Sequence, residues 1–240
     1  AKRTERLNGI LQDILDGYNC TIMRYAEDFA PIQGGIVLFA VPLGISGINL
    51  EYCRFLKILR TQPDMLTGCV GGIIVDGESE LYTKAVSREL MFAANQAGCA
   101  FPGRAMVEGT VSLQNFNIQA MKLETDNLSA YHIAAAEMLE RVAGYQVKPK
   151  ERPNILVLHA SNFKTSNTVA LWNMVKKGLA GCKITEISLR NGTIQDCGGC
   201  PYHMCMHFSK KSSCYYGGVI VEQVYPAIQA CDALVLLCPN

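Results

Sequence analysis

Four stretches of this chain are each built on a continuous apolar run: "GGIVLFAVPL" at 34–43, "CVGGIIVDG" at 69–77, "ILVLHA" at 155–160 and "DALVLLCPN" at 232–240. Runs of this length read as strands buried on both faces. Between them lie segments with helical spacing. "GINLEYCRFLKIL" repeats apolar residues at Leu50, Cys53, Phe55, Leu56 and Leu59, and "LYTKAVSRELMFAANQAGC" ends at a plausible stop, Gly98. "SAYHIAAAEMLERVAGY" reads as a helix capped by Ser129 and stopped by Gly144, and "SNTVALWNMVKKGLAG" as another. Strand–helix alternation requires parallel pairing with right-handed crossovers. The expected architecture is a doubly wound α/β sheet in three layers.

Shorter elements fill the remainder. "LNGILQDIL" places Leu7, Ile10, Leu11, Ile14 and Leu15 on one helical face, and "CTIMRYAED" reads as a short strand. "RAMVEGT" and "KITEISL" read as strands, and "VIVEQVYPAIQAC" as a helix that Pro226 kinks or shortens. "QVKPKERPN" has two prolines, four charges and no apolar period, which marks a linker. The same pattern restarts after it, and "GGIVLFAVPL" and "DALVLLCPN" both end a buried strand in a proline loop. We therefore expect two related units: 1–145, without a first strand and phosphate loop; a linker at 146–153; and 154–240, the first half of a second unit.

Charge and composition narrow the function. Twenty-two basic residues against 21 acidic ones leave no footprint for nucleic acid or an anionic membrane. No apolar run is long enough to span a bilayer, and the N-terminal segment lacks the apolar region of a signal peptide. Eleven cysteines, an odd number with several inside apolar segments, fit a reducing, cytoplasmic compartment better than a disulfide framework.

"HASNFKTSNT", His159 to Thr168, joins a strand to a helix with small and hydroxylic residues. Backbone N–H groups and hydroxyls at a helix N-terminus make an anion site. Neither the ATP-type phosphate loop nor the dinucleotide fingerprint is present. Around it, "ILVLHASNFKTSNTVALW" resembles the first strand, phosphate loop and first helix of the NADPH-dependent FMN reductase family, whose fold is flavodoxin-like. Ala160 and Phe163 depart from that family's loop, and Ser161, Ser166, Asn167 and Thr168 match it. "DALVLLCPN" resembles the family's later strand, and "AVPLGISGINLEYCRFLKIL" its flavin-ring loop and following helix.

The resemblance implies an NAD(P)H-dependent oxidoreductase with FMN as cofactor and NAD(P)H as co-substrate. It implies phosphate contacts at Ser161, Lys164, Ser166, Asn167 and Thr168, and a flavin ring against Cys238, Pro239 and Asn240. It assigns no catalytic side chain. Electrons would leave to a small-molecule acceptor, and the chain would associate as a homo-oligomer. Two rival functions stand beside it: an iron–sulfur flavoprotein electron carrier, and an interaction module that has lost the flavin.

"CGGCPYHMC" carries Cys197, Cys200 and Cys205, with Cys214 nine residues on. The C-x2-C-x4-C-x8-C spacing is looser than a bacterial ferredoxin run. A metal-free loop, a Cys197–Cys200 dithiol, a four-cysteine iron–sulfur cluster, and a zinc site using His203 or His207 all remain open.

Overall fold

In the computed structural model the apolar runs are parallel strands of two separate sheets. The structure describes residues 2–146, 148, 150–161, 166–190 and 194–238, with the side chains of 2–4 left aside. By contacts the chain divides into Ala1–Val147 and Lys148–Asn240.

In the first unit, strands β1 (Ile36–Leu43), β2 (Val70–Gly77) and β3 (Met106–Gly109) lie in the order β1-β2-β3. The register runs from Ile36 opposite Val70 to Leu43 opposite Gly77, and from Ile73 opposite Met106. Every residue of β2 is buried, as a central strand covered on both faces requires. Helices α2 (Leu50–Thr61) and α3 (Thr83–Gln96) cover one face, where Phe39, Val41, Ile73 and Val75 meet Leu56, Leu59 and Leu90. Helices α1 (Lys2–Ile14), α4 (Asn117–Lys122) and α5 (Asn127–Gly144) cover the other, with Leu7, Ile10, Ile74, Tyr131 and Met138 at its centre. Gly98, which ends the turn after α3, has φ +98°, and a Cβ there would lie 2.8 Å from the Thr67 backbone. Glycine is required at such a position.

In the second unit, β4 (Asn154–His159) is central, with β5 (Lys183–Ser188) on one side and β6 (Ala233–Leu237) on the other, all parallel. The order β5-β4-β6 is the 2-1-3 arrangement of a flavodoxin-like sheet. Helix α6 (Asn167–Val175) packs Trp172 on Ile155 and Val157. The opposite face carries Leu156 and Leu158 against Val224 and Ala227, from a π turn at Ile220–Val224 and helix α8 (Tyr225–Ala230). No helix of the described residues is long and apolar enough to cross a membrane.

Several local expectations change. "CTIMRYAED" forms no strand; it ends in a 3-10 turn at Ala26–Asp28, and Ile22, Met23 and Tyr25 are exposed. The β propensity of this stretch finds no neighbouring strand to pair with. Leu50 and Cys53 of α2 face outward, and Tyr52 takes the buried position instead. Pro226 follows just after the π turn at Ile220–Val224, which runs without a break into α8, so the helix departs from α geometry just before the proline, as the expected kink or break requires. The final strand is not buried on both faces: Val235 and Leu237 pack beside Trp172, while Leu234 and Leu236 are exposed, because no described helix covers them.

Asp126, not Ser129, caps α5: its Oδ1 accepts the Leu128 and Ser129 N–H groups, both at 2.9 Å, and the Ser129 hydroxyl donates to Oδ2. The Ser129 N–H, then its hydroxyl, holds the Asp126 carboxyl below the usual carboxylate range. A depressed folded-state pKa gives stability that is present above the unfolded carboxylate pKa, about 3.9, and lost as pH falls below it. Asp126→Ala should therefore speed amide exchange in the first turn of α5 at neutral pH. The difference from wild type should shrink on acidification, as read by hydrogen exchange.

Candidate functional site

In an open α/β sheet, ligands bind outside the carboxyl ends of the strands, where the strand order reverses. The second unit has such a point. The chain runs from β4 to β5 on one side, then crosses to β6 on the other, so the reversal falls between β4 and β6. His159, the last residue of β4, is in register with Leu237 of β6 and Ser188 of β5. The turn that leaves β4 and the turn that leaves β6 therefore emerge side by side.

The first of these turns begins at Ala160 and Ser161 and ends at Ser166. Ser166 is the N-cap of α6: its Oγ accepts the Val169 N–H at 3.3 Å. Asn167 and Thr168 are the first two helical residues, whose N–H groups have no partner within the helix. Ser161 is 6 % exposed, and its buried Oγ has no hydrogen-bond partner among the described residues. A buried hydroxyl without a partner costs roughly 1–3 kcal/mol. An anion at the N-terminus of a nine-residue helix supplies the missing acceptor. The residues present thus fit a phosphate group, with Ser161, Ser166, Asn167 and Thr168 brought to one end of the sheet. Lys164 lies outside the described residues.

The second turn starts at Cys238, which follows β6 and is exposed with a free thiol. It is not the buried small hydrophobe that its apolar setting suggests, because it stands past the last paired residue, Leu237. Pro239 and Asn240 lie outside the described residues.

One group escapes reading from the sequence alone. Glu186 on β5 sits 2.6 Å from Lys176 Nζ, at the end of α6. Burial works to raise its carboxyl, but the Lys176 hydrogen bond, Trp172 and the charges of Lys176 and His159 outweigh burial and hold it below the usual range. His159 itself is 3 % exposed. The alternation of β4 puts it on the α6 face, above Val157 and Ile155.

The cysteine segment takes a form that the spacing did not predict. Helix α7 (Tyr202–Ser209) carries Cys205, and the Tyr216 ring lies on Gly198, where a Cβ would come within 2.6 Å of it. Cys197 and Cys205 are exposed, Cys200 and Cys214 partly buried, and all four are free thiols. Among the described residues no three His, Cys, Asp or Glu side chains converge in a way that could hold a metal ion. Of the readings left open by the spacing, the four-cysteine iron–sulfur cluster and the zinc site with His203 or His207 find no converging ligand set among the described residues.

The carboxyl edge of the first unit is built differently. Asp76, fully buried at the end of β2, accepts Arg6 Nε at 2.8 Å, and Arg6 also donates to the Thr110 carbonyl at 3.1 Å. The guanidinium stands 5.9 Å from the Tyr131 ring centroid. Burial, then the Asp76 charge, pushes the Tyr131 phenol well above its usual range. Glu108, at the end of β3, accepts the Thr83 hydroxyl at 2.9 Å. Asp76 and Glu108 are engaged by the protein's own donors, which makes this edge a structural clasp. His132, on the outer side of α5, stands 3.0 Å from Asp13.

Residues 153–240 match the model of the family described as NADPH-dependent FMN reductase. No curated protein and no solved structure matches the chain.

Proposed function

We propose that the Lys148–Asn240 unit, starting from its NADPH-dependent FMN reductase pattern, binds FMN at the β4–β6 switch point and acts as an NAD(P)H-dependent oxidoreductase. Reducing equivalents then pass to a small-molecule acceptor. The observation that carries this reading is the orphaned, buried Ser161 hydroxyl beside the N-terminus of α6. Its environment calls for an acceptor that the described residues do not supply.

The protein's part is binding and orientation. Ser161 and the free N–H groups at Asn167 and Thr168 hold the phosphate, aided by the positive end of the α6 dipole. Ser166 fixes the first turn of α6 by its own capping bond, so these donors are set before the ligand arrives. Cys238 and the residues after it border the ring. When bound, FMN supplies the hydride chemistry, and no side chain of the site is needed as acid or base. The first unit, whose carboxyl edge is closed by Arg6 and Asp76, takes a supporting role in this tandem arrangement.

Purified protein is expected to be yellow, or to take up added FMN, with flavin absorbance that bleaches on anaerobic addition of NADPH. Ser161→Ala should weaken FMN binding by about tenfold, the size of one charge-assisted hydrogen bond of about 1.5 kcal/mol. Its affinity for riboflavin, which has no phosphate, should stay as in wild type. A protein that neither contains nor binds FMN would overturn the proposal in favour of a flavin-free interaction module.

A further inference from the structure

Strand β1 ends its sheet with a free edge. Its backbone ladder runs to β2 alone, and no other described strand pairs with it. The edge, Ile36–Leu43, carries no charged residue, and its register with β2 is unbroken by any bulge. A row of unpaired N–H and C=O groups recruits a further strand unless something blunts it.

A second feature lies along this edge. Residues 19–24 make no backbone–backbone hydrogen bond to a described residue. Every residue of 16–25 is exposed, Tyr18, Ile22, Met23 and Tyr25 among them. The path of this stretch follows from its two ends. Helix α1 starts at the carboxyl edge of the sheet, where Arg6 meets Asp76, and leads away from it. The chain is back at that edge by Ala26, whose N–H donates to Glu51 at 3.0 Å in the first turn of α2. It has also changed faces. Helix α1 packs on one side of the sheet, and on the other Phe29 meets Phe55 of α2 with ring centroids 4.7 Å apart. Because β2 and β3 continue the sheet in one direction, the passage runs round the β1 edge. Residues 18–25 therefore ascend beside β1 in its own direction, with no backbone hydrogen bond joining the two.

We infer that β1 and residues 20–25 are the two walls of a slot for one more strand, parallel to both and supplied by a partner polypeptide. The slot specifies its occupant. Helix α1 lies over one face of β1 and α2 over the other, so a strand added there is covered on both faces and is apolar at successive positions. It bonds on both sides, so both of its edges must be free. No described strand of a second copy meets that condition, since each already has at least one paired edge. Pro42 has no N–H, so the ladder on the β1 side ends at Val41. The partner is thus a short, extended, uncharged segment rich in Val, Ile and Leu. The strand-like composition of 20–25 has a use once the slot is filled. This surface belongs to the first unit and does not depend on the flavin reading.

The test uses the full chain and a probe peptide with the sequence of residues 153–161, PNILVLHAS, flanked by lysines for solubility. Amide hydrogen exchange is followed segment by segment. Saturating probe should slow alternate amides of both 20–25 and 36–41 by at least about tenfold, because exchange from a slot about nine-tenths occupied is confined to the free tenth. The same peptide carrying Leu156→Asp and Leu158→Asp should protect neither segment. In the chain, Ile22→Pro removes a donor from one wall at an exposed position. It should leave unfolding of the free chain unchanged, abolish protection at 20–25 and weaken probe binding. Protection of 36–41 alone reports plain edge pairing and overturns the slot. Protection of both segments in the free chain that grows with its concentration assigns the place to a second copy and overturns the partner. No protection by the probe overturns the inference outright. FMN uptake, a property of the second unit, should be the same with and without probe, so its failure bears on the flavin reading alone.

Discussion

Asp76→Ala is expected to destabilise the first unit by about 3–5 kcal/mol, the cost of breaking a buried ion pair by deleting one partner. Asp76 is fully buried and Arg6 nearly so, with side-chain exposures of 0 % and 16 %. Deleting the carboxylate leaves the guanidinium with only the Thr110 carbonyl and the face of Tyr131. It also opens a gap beside Gly109, where a Cβ would stand 2.9 Å from Asp76 Oδ2. Asp76→Asn keeps the volume and an acceptor, and should lose less. Far-UV circular dichroism during urea unfolding measures the effect. The single tryptophan of the chain, Trp172, lies in the second unit. Its fluorescence transition should therefore stay where it is in wild type, while the circular dichroism transition of the first unit moves to lower urea. An unshifted first transition would show that the clasp contributes nothing to stability.

Trp172→Ala should have the converse effect, with a loss of about 3–5 kcal/mol confined to the second unit. Trp172 is 4 % exposed and shares its core cluster with two other buried residues, Ile155 and Val157. A domain's whole stability is commonly about 5–15 kcal/mol. A core with so few buried members therefore has little reserve, and the variant should be largely unfolded in that unit at 37 °C. FMN uptake should disappear with it, because α6 is held to the sheet by this side chain. Trp172→Phe keeps most of the apolar contact and should retain both fold and flavin. If Trp172→Ala binds FMN as wild type does, α6 is anchored by something other than this contact.

Strands β1, β2, β4 and β6 were legible because each holds a continuous apolar run, and a buried parallel strand has few other ways to read; β3 and β5 were read from shorter, mixed segments. Helices α2, α3, α5 and α6 were legible from spacing and stop signals. The errors have definite physical sources. Residues 20–28 have the apolar content of a strand, but a strand exists only where a neighbour accepts its hydrogen bonds. At the start of α5, Asp126 and Ser129 are both good caps, and the chain uses the earlier because Ser129 can donate to it as well. Helix α7 has no buried face, so no periodicity announced it. Of the site, the polar residues Ser161, Ser166, Asn167 and Thr168 could be named from their pattern. The missing partner at Ser161 and the nearness of Glu186 to His159 arise only when β4, β5 and α6 pack together. Spacing alone left a metal cluster at Cys197, Cys200, Cys205 and Cys214 open beside a metal-free loop and a dithiol, because it does not reveal that a helix carries Cys205.

The strand orders of the two sheets carry a consequence about where innovation is possible. In the first unit successive strands always step in the same direction, so right-handed crossovers stack α2 and α3 on one face, shoulder to shoulder. In the second unit the chain steps one way and then back, so α6 and α8 fall on opposite faces and part at the top of the sheet. That parting is made by the route of the backbone and by no particular side chain. Loop substitutions in the second unit can change what the cleft prefers, but the cleft itself persists as long as the sheet does. Grafting the same loop residues onto the first unit would give it the donors without the opening.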